Sequence, residues 1–230
     1  MNLCLIPARG GSKRLPGKNI RKFCGEPIIS YSIKAAIESN CFDKIVVSTD
    51  DEEISNIAKK YGADIPFIRP KELSDDYTGT NDVVKHAIEW FLKKNIVIEN
   101  VCCLYATAPF VQPCYLKAGY EKLVESGKSF AFSVTSFPFP IQRAVRITSE
   151  NEVEAIWPEH IYTRSQDLEE AFHDAGQFYW GKSESFLNGK VMFSNASVPV
   201  VLPRHLVQDI DTFEDWDRAE LMYRALSLKS

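Results

Sequence analysis

Through its first 125 residues the chain alternates short apolar runs with stretches of helical spacing, and few folds accommodate that order. Residues 3–8 read as a buried strand, 28–39 as a helix, and 44–50 as the next strand. Residues 51–61 read as a helix entered by two acids, which suit its positive end. A short strand is expected at 65–68. Over 82–94, Val83, Val84, Ala87, Ile88 and Phe91 recur at helical spacing. Residues 101–107 read as a buried strand and 115–125 as a helix. Strands separated by helices need crossover connections, so the expected fold is α/β, a mostly parallel sheet flanked by helices.

The pattern changes near Phe137. Residues 137–170 are rich in proline, charge and aromatics, with a strand-like piece at 144–148, and read as an insertion rather than another strand–helix unit. Alternation resumes with a strand at 176–180, a short helix at 183–187 and a strand at 198–202. Thr212 is placed to cap a final helix with Phe213 and Trp216 on its apolar side. No repeat or linker interrupts the chain, so its 230 residues read as a single domain with one insertion.

Composition removes several function classes. The chain carries 27 Lys plus Arg against 31 Asp plus Glu, a net charge of −4, which argues against a dedicated nucleic-acid binder. No apolar run is long enough to cross a membrane, and residues 3–7 are too short for a signal-peptide core. The six cysteines form no Cys-x-x-Cys pair, which suits inert thiols and a cytoplasmic setting. Cys24, beside Arg21 and Lys22, is the one thiol with basic neighbours.

The first strand runs directly into Pro7-Ala8-Arg9-Gly10-Gly11-Ser12-Lys13-Arg14-Leu15-Pro16-Gly17-Lys18-Asn19. Six basic residues and no acid lie between Arg9 and Gly25 of this acidic protein. Gly10 and Gly11 remove side-chain bulk so that backbone N–H groups can approach an anion. Arginine and lysine neutralise phosphate oxygens, and ligands of open α/β sheets sit at the carboxyl ends of strands, where this loop lies. The expectation is a polyphosphate site. The spacing matches neither the ATPase P-loop nor the dinucleotide fingerprint.

Asp209-Ile210-Asp211 places two carboxylates at i and i+2. On an extended backbone both face one side while Ile210 enters the core. Two hard oxygen donors suit Mg²⁺, which fills its remaining positions with water and phosphate. Helix capping is the bland reading of one of these acids.

The run from Ile6 through Asn19 closely resembles the nucleotide-binding loop of CMP-sialic acid synthetases, cytidylyltransferases of nonulosonic acids. The likeness extends to residues 45–50, to Arg69-Pro70-Lys71-Glu72-Leu73 with Asp76 and Thr80, and to residues 209–212. It implies a Rossmann-like nucleotidyltransferase fold that transfers CMP from CTP to the anomeric hydroxyl of the sugar acid. By this resemblance Ala8, Arg9, Gly10, Gly11, Ser12, Lys13, Lys18 and Asn19 hold CTP, with Arg69 and Thr80 at the nucleotide. Arg9, Lys13, Lys18, Asp209 and Asp211 serve catalysis, and the two aspartates bind the divalent metal. The insertion resembles the segment by which such enzymes form homodimers and reach over the partner's site.

The sugar side departs from the N-acetylneuraminate enzymes. They carry Gln-Pro-Thr-Ser-Pro where this chain has Tyr105-Ala106-Thr107-Ala108-Pro109, and Asn-Gly-Ala where it has His173-Asp174-Ala175-Gly176. With residues 163–168, that stretch resembles the pseudaminic acid branch. A polar site selects by pairing particular hydroxyls and amides. Tyr105, Arg164, Gln166, His173 and Asp174 are therefore expected at the substrate, although a His–Asp pair is also a common structural device. N-acetylneuraminate, legionaminate and octulosonate remain alternative acids. A regulatory module that holds a nucleotide without turnover is the non-enzyme alternative.

Overall fold

The computed structural model describes residues 1–228. In chain order the elements are β1 (Asn2–Pro7), the ribbon β2 (Lys22–Phe23) and β3 (Glu26–Pro27), α1 (Ile28–Ser39), β4 (Lys44–Ser48), α2 (Glu52–Lys60), α3 (Thr80–Leu92), β5 (Asn100–Leu104), α4 (Pro113–Ser126) and β6 (Phe130–Ser136). There follow β7 (Val145–Ile147), β8 (Val153–Ala155), β9 (Phe172–Lys182), α5 (Ser183–Leu187), β10 (Ser197–Val201) and α6 (Phe213–Ser227). Among the described residues no helix is long and apolar enough to cross a membrane.

Six strands form one sheet in the order β10-β6-β9-β5-β1-β4. All neighbours pair in parallel except at β9, which is antiparallel to both β5 and β6. The expected mostly parallel sheet flanked by helices is present. One apolar layer packs α1, α2 and α4 against Cys4, Ile6, Cys102, Leu104 and Trp180; the other packs α3 and α5 against Leu3, Leu5, Val101, Cys103 and Tyr179. Strands buried on both faces read as continuous apolar runs, which is what β1 and β5 show.

Three local readings are corrected. Residues 65–68 are not a strand: a single parallel bridge, Val46 to Asp64, precedes them, and Pro66 has no N–H to extend the ladder. β6 is an additional strand, and β9 is longer than the expected 176–180. Phe213 is half exposed, with the Arg21 guanidinium 5.0 Å from its ring centroid, so Trp216 alone of that pair is buried.

The length of β9 comes with an irregularity. Its register against β6 shifts between Phe132 and Val134, where Gly176 takes φ +62° and donates its N–H to Asp174 Oδ1 at 2.9 Å. A bulge of this kind bends a strand and re-aims its side chains. Here it sets the orientation of His173 and Asp174 at the strand's start.

The excursion between β6 and β9 carries the β7–β8 hairpin, whose Val145, Ile147 and Val153 are all exposed. Beneath the basic loop lies a third apolar cluster. Leu15 from the loop, Phe23, Ile28, Phe110, Ile210, Trp216 and Ala219 are buried together. It joins the loop to α6, whose start is fixed by a reciprocal cap: Thr212 Oγ1 accepts the Asp215 N–H at 3.2 Å, and the Asp215 carboxylate accepts the Thr212 N–H at 2.9 Å.

Gly181, next to last in β9, has no room for a side chain, since an added Cβ would lie 2.5 Å from Phe130 and 2.6 Å from Phe186. Gly181→Ala is expected to lower stability by about 1–3 kcal/mol, the usual cost of overpacking, as read by urea denaturation. An unchanged midpoint would show that these rings yield freely.

Candidate active site

The carboxyl ends of β1 and β5 open into a cleft of about 540 Å³. Arg9, Ser12, Lys13, Arg14, Lys18 and Asn19 line one side, Arg69, Asp76 and Thr80 another, and Tyr105 and Asp211 close it. The loop's charge is ordered by two acids. Arg9 Nη2 lies 2.7 Å from Asp76 Oδ1, and Lys13 pairs with the other oxygen of Asp76. Arg14 Nη1 lies 2.9 Å from Asp211 Oδ2, and Lys18 Nζ lies 3.2 Å from Asp211 Oδ1. Lys18 is 17% exposed and thus built in, whereas Lys13 is 82% exposed and held by its ion pair with Asp76. Asn19 Nδ2 donates to the Arg9 carbonyl at 2.9 Å and sets the loop's curvature.

Ala8, Gly10 and Gly11 stand behind this wall. The Ala8 N–H donates to the Ser48 carbonyl at 2.9 Å, and the Gly10 N–H to Asp50 Oδ1 at 3.0 Å, so both donors are engaged within the fold. A Cβ on Gly10 would lie 2.7 Å from Asp51 Oδ2. Gly10 therefore lets the loop close on the start of α2, where Asp51 Oδ1 accepts the Ile54 N–H. Gly11 faces open space.

Arg69 is buried at 4% exposure. Its Nε donates to Ser48 Oγ at 3.1 Å, and its Nη2 donates to the Ser48 carbonyl. Burial pulls its pKa down to about 10, and Asp50 opposes that shift, so the guanidinium stays charged at neutral pH. Thr80 is the first residue of α3 rather than its cap, which is Gly79. Its Oγ1 lies 3.4 Å from the Tyr105 hydroxyl.

Thr80 and Tyr105 also border a second cavity of about 380 Å³, walled by Phe130, Tyr179, Phe186, Met192 and Phe193, with Asp174 and Lys190 as its charged groups. The Tyr179 hydroxyl donates to Asp174 Oδ2 at 2.6 Å, and the rings of Tyr105 and Tyr179 lie 5.3 Å apart. Burial, then Tyr105 and Asp174, push the Tyr179 phenol far up, so it remains a donor. His173 Nδ1 contacts the Asp174 carbonyl at 2.8 Å and its ring packs on Phe137 at 4.7 Å. Of the residues expected at the substrate, His173, Arg164 and Gln166 line neither cavity. Arg164 and Gln166 are exposed on the excursion, where Arg164 pairs with Asp167 at 2.8 Å.

Ile210 is buried, and Asp209 and Asp211 flank it as the alternation requires. Burial first and Asp211 second raise the Asp209 pKa, and Lys18 opposes the shift. Among the described residues no group of three or more His, Cys, Asp or Glu gathers to hold a metal. Asp211 lines the cleft and Asp209 lies two residues before it; two such carboxylates fit a hard divalent cation that completes its shell with water and phosphate. Burial pushes the Cys24 thiol up rather than down, which disfavours a nucleophile there.

Sequence reasoning did not single out Tyr179, Arg14, Lys190 or the second cavity. Tyr179 sits in an aromatic run, Phe178-Tyr179-Trp180, that reads as core, and only the fold turns its hydroxyl toward Asp174.

A family model described as cytidylyltransferase matches residues 3–218. The pseudaminic acid cytidylyltransferase of Campylobacter jejuni serotype O:2 is 50% identical over 223 residues, covering 97% of this chain and 96% of that protein. The CMP-N,N'-diacetyllegionaminic acid synthase of Legionella pneumophila is 32% identical over 95% of this chain and 94% of its own. A solved structure of CMP:2-keto-3-deoxy-manno-octonic acid synthetase complexed with CTP shares the fold, with TM-score 0.69, 16% identity, and 97% and 98% of the two chains covered. On this similarity, and with its strand-end cleft lined by loop cations, the chain belongs to the cytidylyltransferase family.

Proposed function

We propose that this chain transfers CMP from CTP to the anomeric hydroxyl of pseudaminic acid and releases pyrophosphate. The observation that carries the reading is a cation-lined cleft that shares Thr80 and Tyr105 with an aromatic-walled second cavity. The first suits a nucleoside triphosphate. The second suits a sugar acid with two acylated amines and a methyl end, whose apolar arms meet Phe186, Met192 and Phe193 while Asp174, Tyr179 and Tyr105 pair its polar groups. The similarity to pseudaminic acid cytidylyltransferases supports the same acid.

In this mechanism Arg9, Ser12, Lys13 and Lys18 hold the triphosphate, with Asn19 shaping the loop and Arg69 and Thr80 beside the nucleotide. The anomeric oxygen forms a bond to the α-phosphorus, the bond to the β-phosphate oxygen breaks, and the hydroxyl proton passes to water. The rate comes from positioning and from cations fixed where charge accumulates on the leaving pyrophosphate. Asp209 and Asp211 would hold Mg²⁺, which when bound supplies further charge neutralisation at the phosphates. The chain is read as one catalytic domain. Its excursion at 137–170 would form a homodimer through the exposed Val145, Ile147 and Val153, carrying Arg164 and Gln166 toward the partner's cleft. A cytoplasmic setting follows from the need for CTP and suits six unpaired thiols.

Three measurements test this reading. Pyrophosphate release with CTP and Mg²⁺ is expected with pseudaminic acid and not with N-acetylneuraminate, legionaminate or octulosonate. Turnover with another of these acids would overturn the assignment of Tyr105, His173 and Asp174, and silence with all four would overturn the reaction. Asp209→Asn and Asp211→Asn are each expected to lower kcat/KM at least about a hundredfold, the scale of losing a metal's charge at the reacting phosphates. Near-wild-type rates across a Mg²⁺ titration would remove both from the metal site. Sedimentation equilibrium at micromolar concentration should give a dimer that Ile147→Lys dissociates, and a wild-type monomer would sink the interface.

A further inference from the structure

Asp76 has a place in the cleft that the transfer chemistry does not use. The segment that carries it is folded on itself. Ser74 Oγ donates to the Pro70 carbonyl at 3.0 Å, and Asp75 Oδ1 accepts N–H groups from Tyr77 at 3.0 Å and Thr78 at 2.7 Å. Asp75 is thereby spent on its own turn. Asp76, the next residue, instead takes Arg9 on one oxygen and Lys13 on the other. These are two of the cations expected to hold a phosphate. One carboxylate bridging two cations with its two oxygens is the arrangement a phosphate would take up there.

We propose that Asp76 is an internal counter-ion that occupies a phosphate's place at Arg9 and Lys13, so that a polyphosphate binds by displacing it and leaves as it returns. The proposal rests on the reading of this cleft as the nucleotide site and adds a positioning residue to it. Asp76 is 31% exposed and Lys13 82%, so the ion pairs are partly screened and easily exchanged. A triphosphate brings more charge and more acceptor oxygens than a carboxylate and wins the exchange. In the empty cleft the carboxylate keeps two like charges from repelling each other and holds them near their working positions. When pyrophosphate departs, the same carboxylate offers Arg9 and Lys13 an alternative partner, which favours release.

The test is calorimetric titration of wild type and Asp76→Asn at low salt, without divalent metal, using tripolyphosphate, CTP and cytidine. Asp76→Asn is expected to bind tripolyphosphate and CTP roughly three- to tenfold more tightly, the scale of one or two exposed ion pairs, and cytidine unchanged. The inhibition constant of pyrophosphate should fall by a similar factor. In a Lys13→Gln background the gain from Asp76→Asn should shrink, because half of the contact is already gone. Equal gains in both backgrounds would mean that Asp76 acts through net charge alone and would overturn the direct exchange. Unchanged or weaker polyphosphate binding in a folded Asp76→Asn protein, checked by its melting temperature, would overturn the counter-ion role while leaving the cleft assignment standing. Asp76→Ser gives the same reading should the asparagine variant fail to fold. Wild-type protein that binds neither CTP nor tripolyphosphate would overturn the cleft assignment and the role of Asp76 together.

Discussion

Four cations within ten residues repel one another, and the site exists only because that repulsion is opposed at close range. Asp76 takes Arg9 and Lys13, and Asp211 takes Arg14 and Lys18. Partly exposed pairs of this kind hold little by themselves, so something else must keep the acids and the loop together. That is the buried cluster of Leu15, Phe23, Ile210 and Trp216. Leu15 sits between Arg14 and Lys18 in sequence, and Ile210 between Asp209 and Asp211. Burying the two apolar residues against one another brings the flanking charges face to face, so hydrophobic burial, which is non-directional, is turned into an electrostatic arrangement.

The single antiparallel strand does the corresponding work for the second cavity. β9 lies between β5 and β6, so its start reaches the same end of the sheet as the cleft. The bulge at Gly176 then allows Asp174 to accept from both the Gly176 N–H and the Tyr179 hydroxyl. Tyr105, the residue after β5, links this group to Thr80 at the start of α3. Two cavities built by different elements are thus joined through one short chain of hydroxyls, and a group bound in either can be sensed at the shared residues.

Much of this was legible in the sequence where the physics is local. The bounds of α1 and α5 match the reading from spacing, and Thr212 caps α6 with the expected chemistry. β6 was not legible because it is buried on both faces and carries polar residues that hide their nature. Ser133 Oγ donates to the Phe178 carbonyl and Thr135 Oγ1 to the Leu202 carbonyl, partners some 45 and 67 residues away. The basic loop announced an anion site, yet nothing near Arg69 in sequence indicates that its guanidinium is buried on Ser48. Gly10 and Gly11 look alike on the page, but Gly10 is required by the approach of Asp51 and Gly11 meets no neighbour. Contacts that depend on distant residues leave no periodic trace.

The same contrast separates the fixed parts of the site from the exchangeable ones. Arg69 and Lys18 are enclosed, and changing their partners means disturbing the sheet end or the cluster below the loop. Arg14 and Lys13 are mostly exposed and held by ion pairs alone, which a more highly charged ligand can replace at small cost. A nucleotidyl transfer site needs both kinds of group. The reacting phosphorus must be placed to within a fraction of an ångström, which only enclosed groups can do. A polyphosphate product must also be let go, and groups that already have a carboxylate to return to release it more readily than groups left bare. The distribution of burial along one loop, with Lys18 inside and Lys13 outside, meets both demands once Asp76 and Asp211 face it.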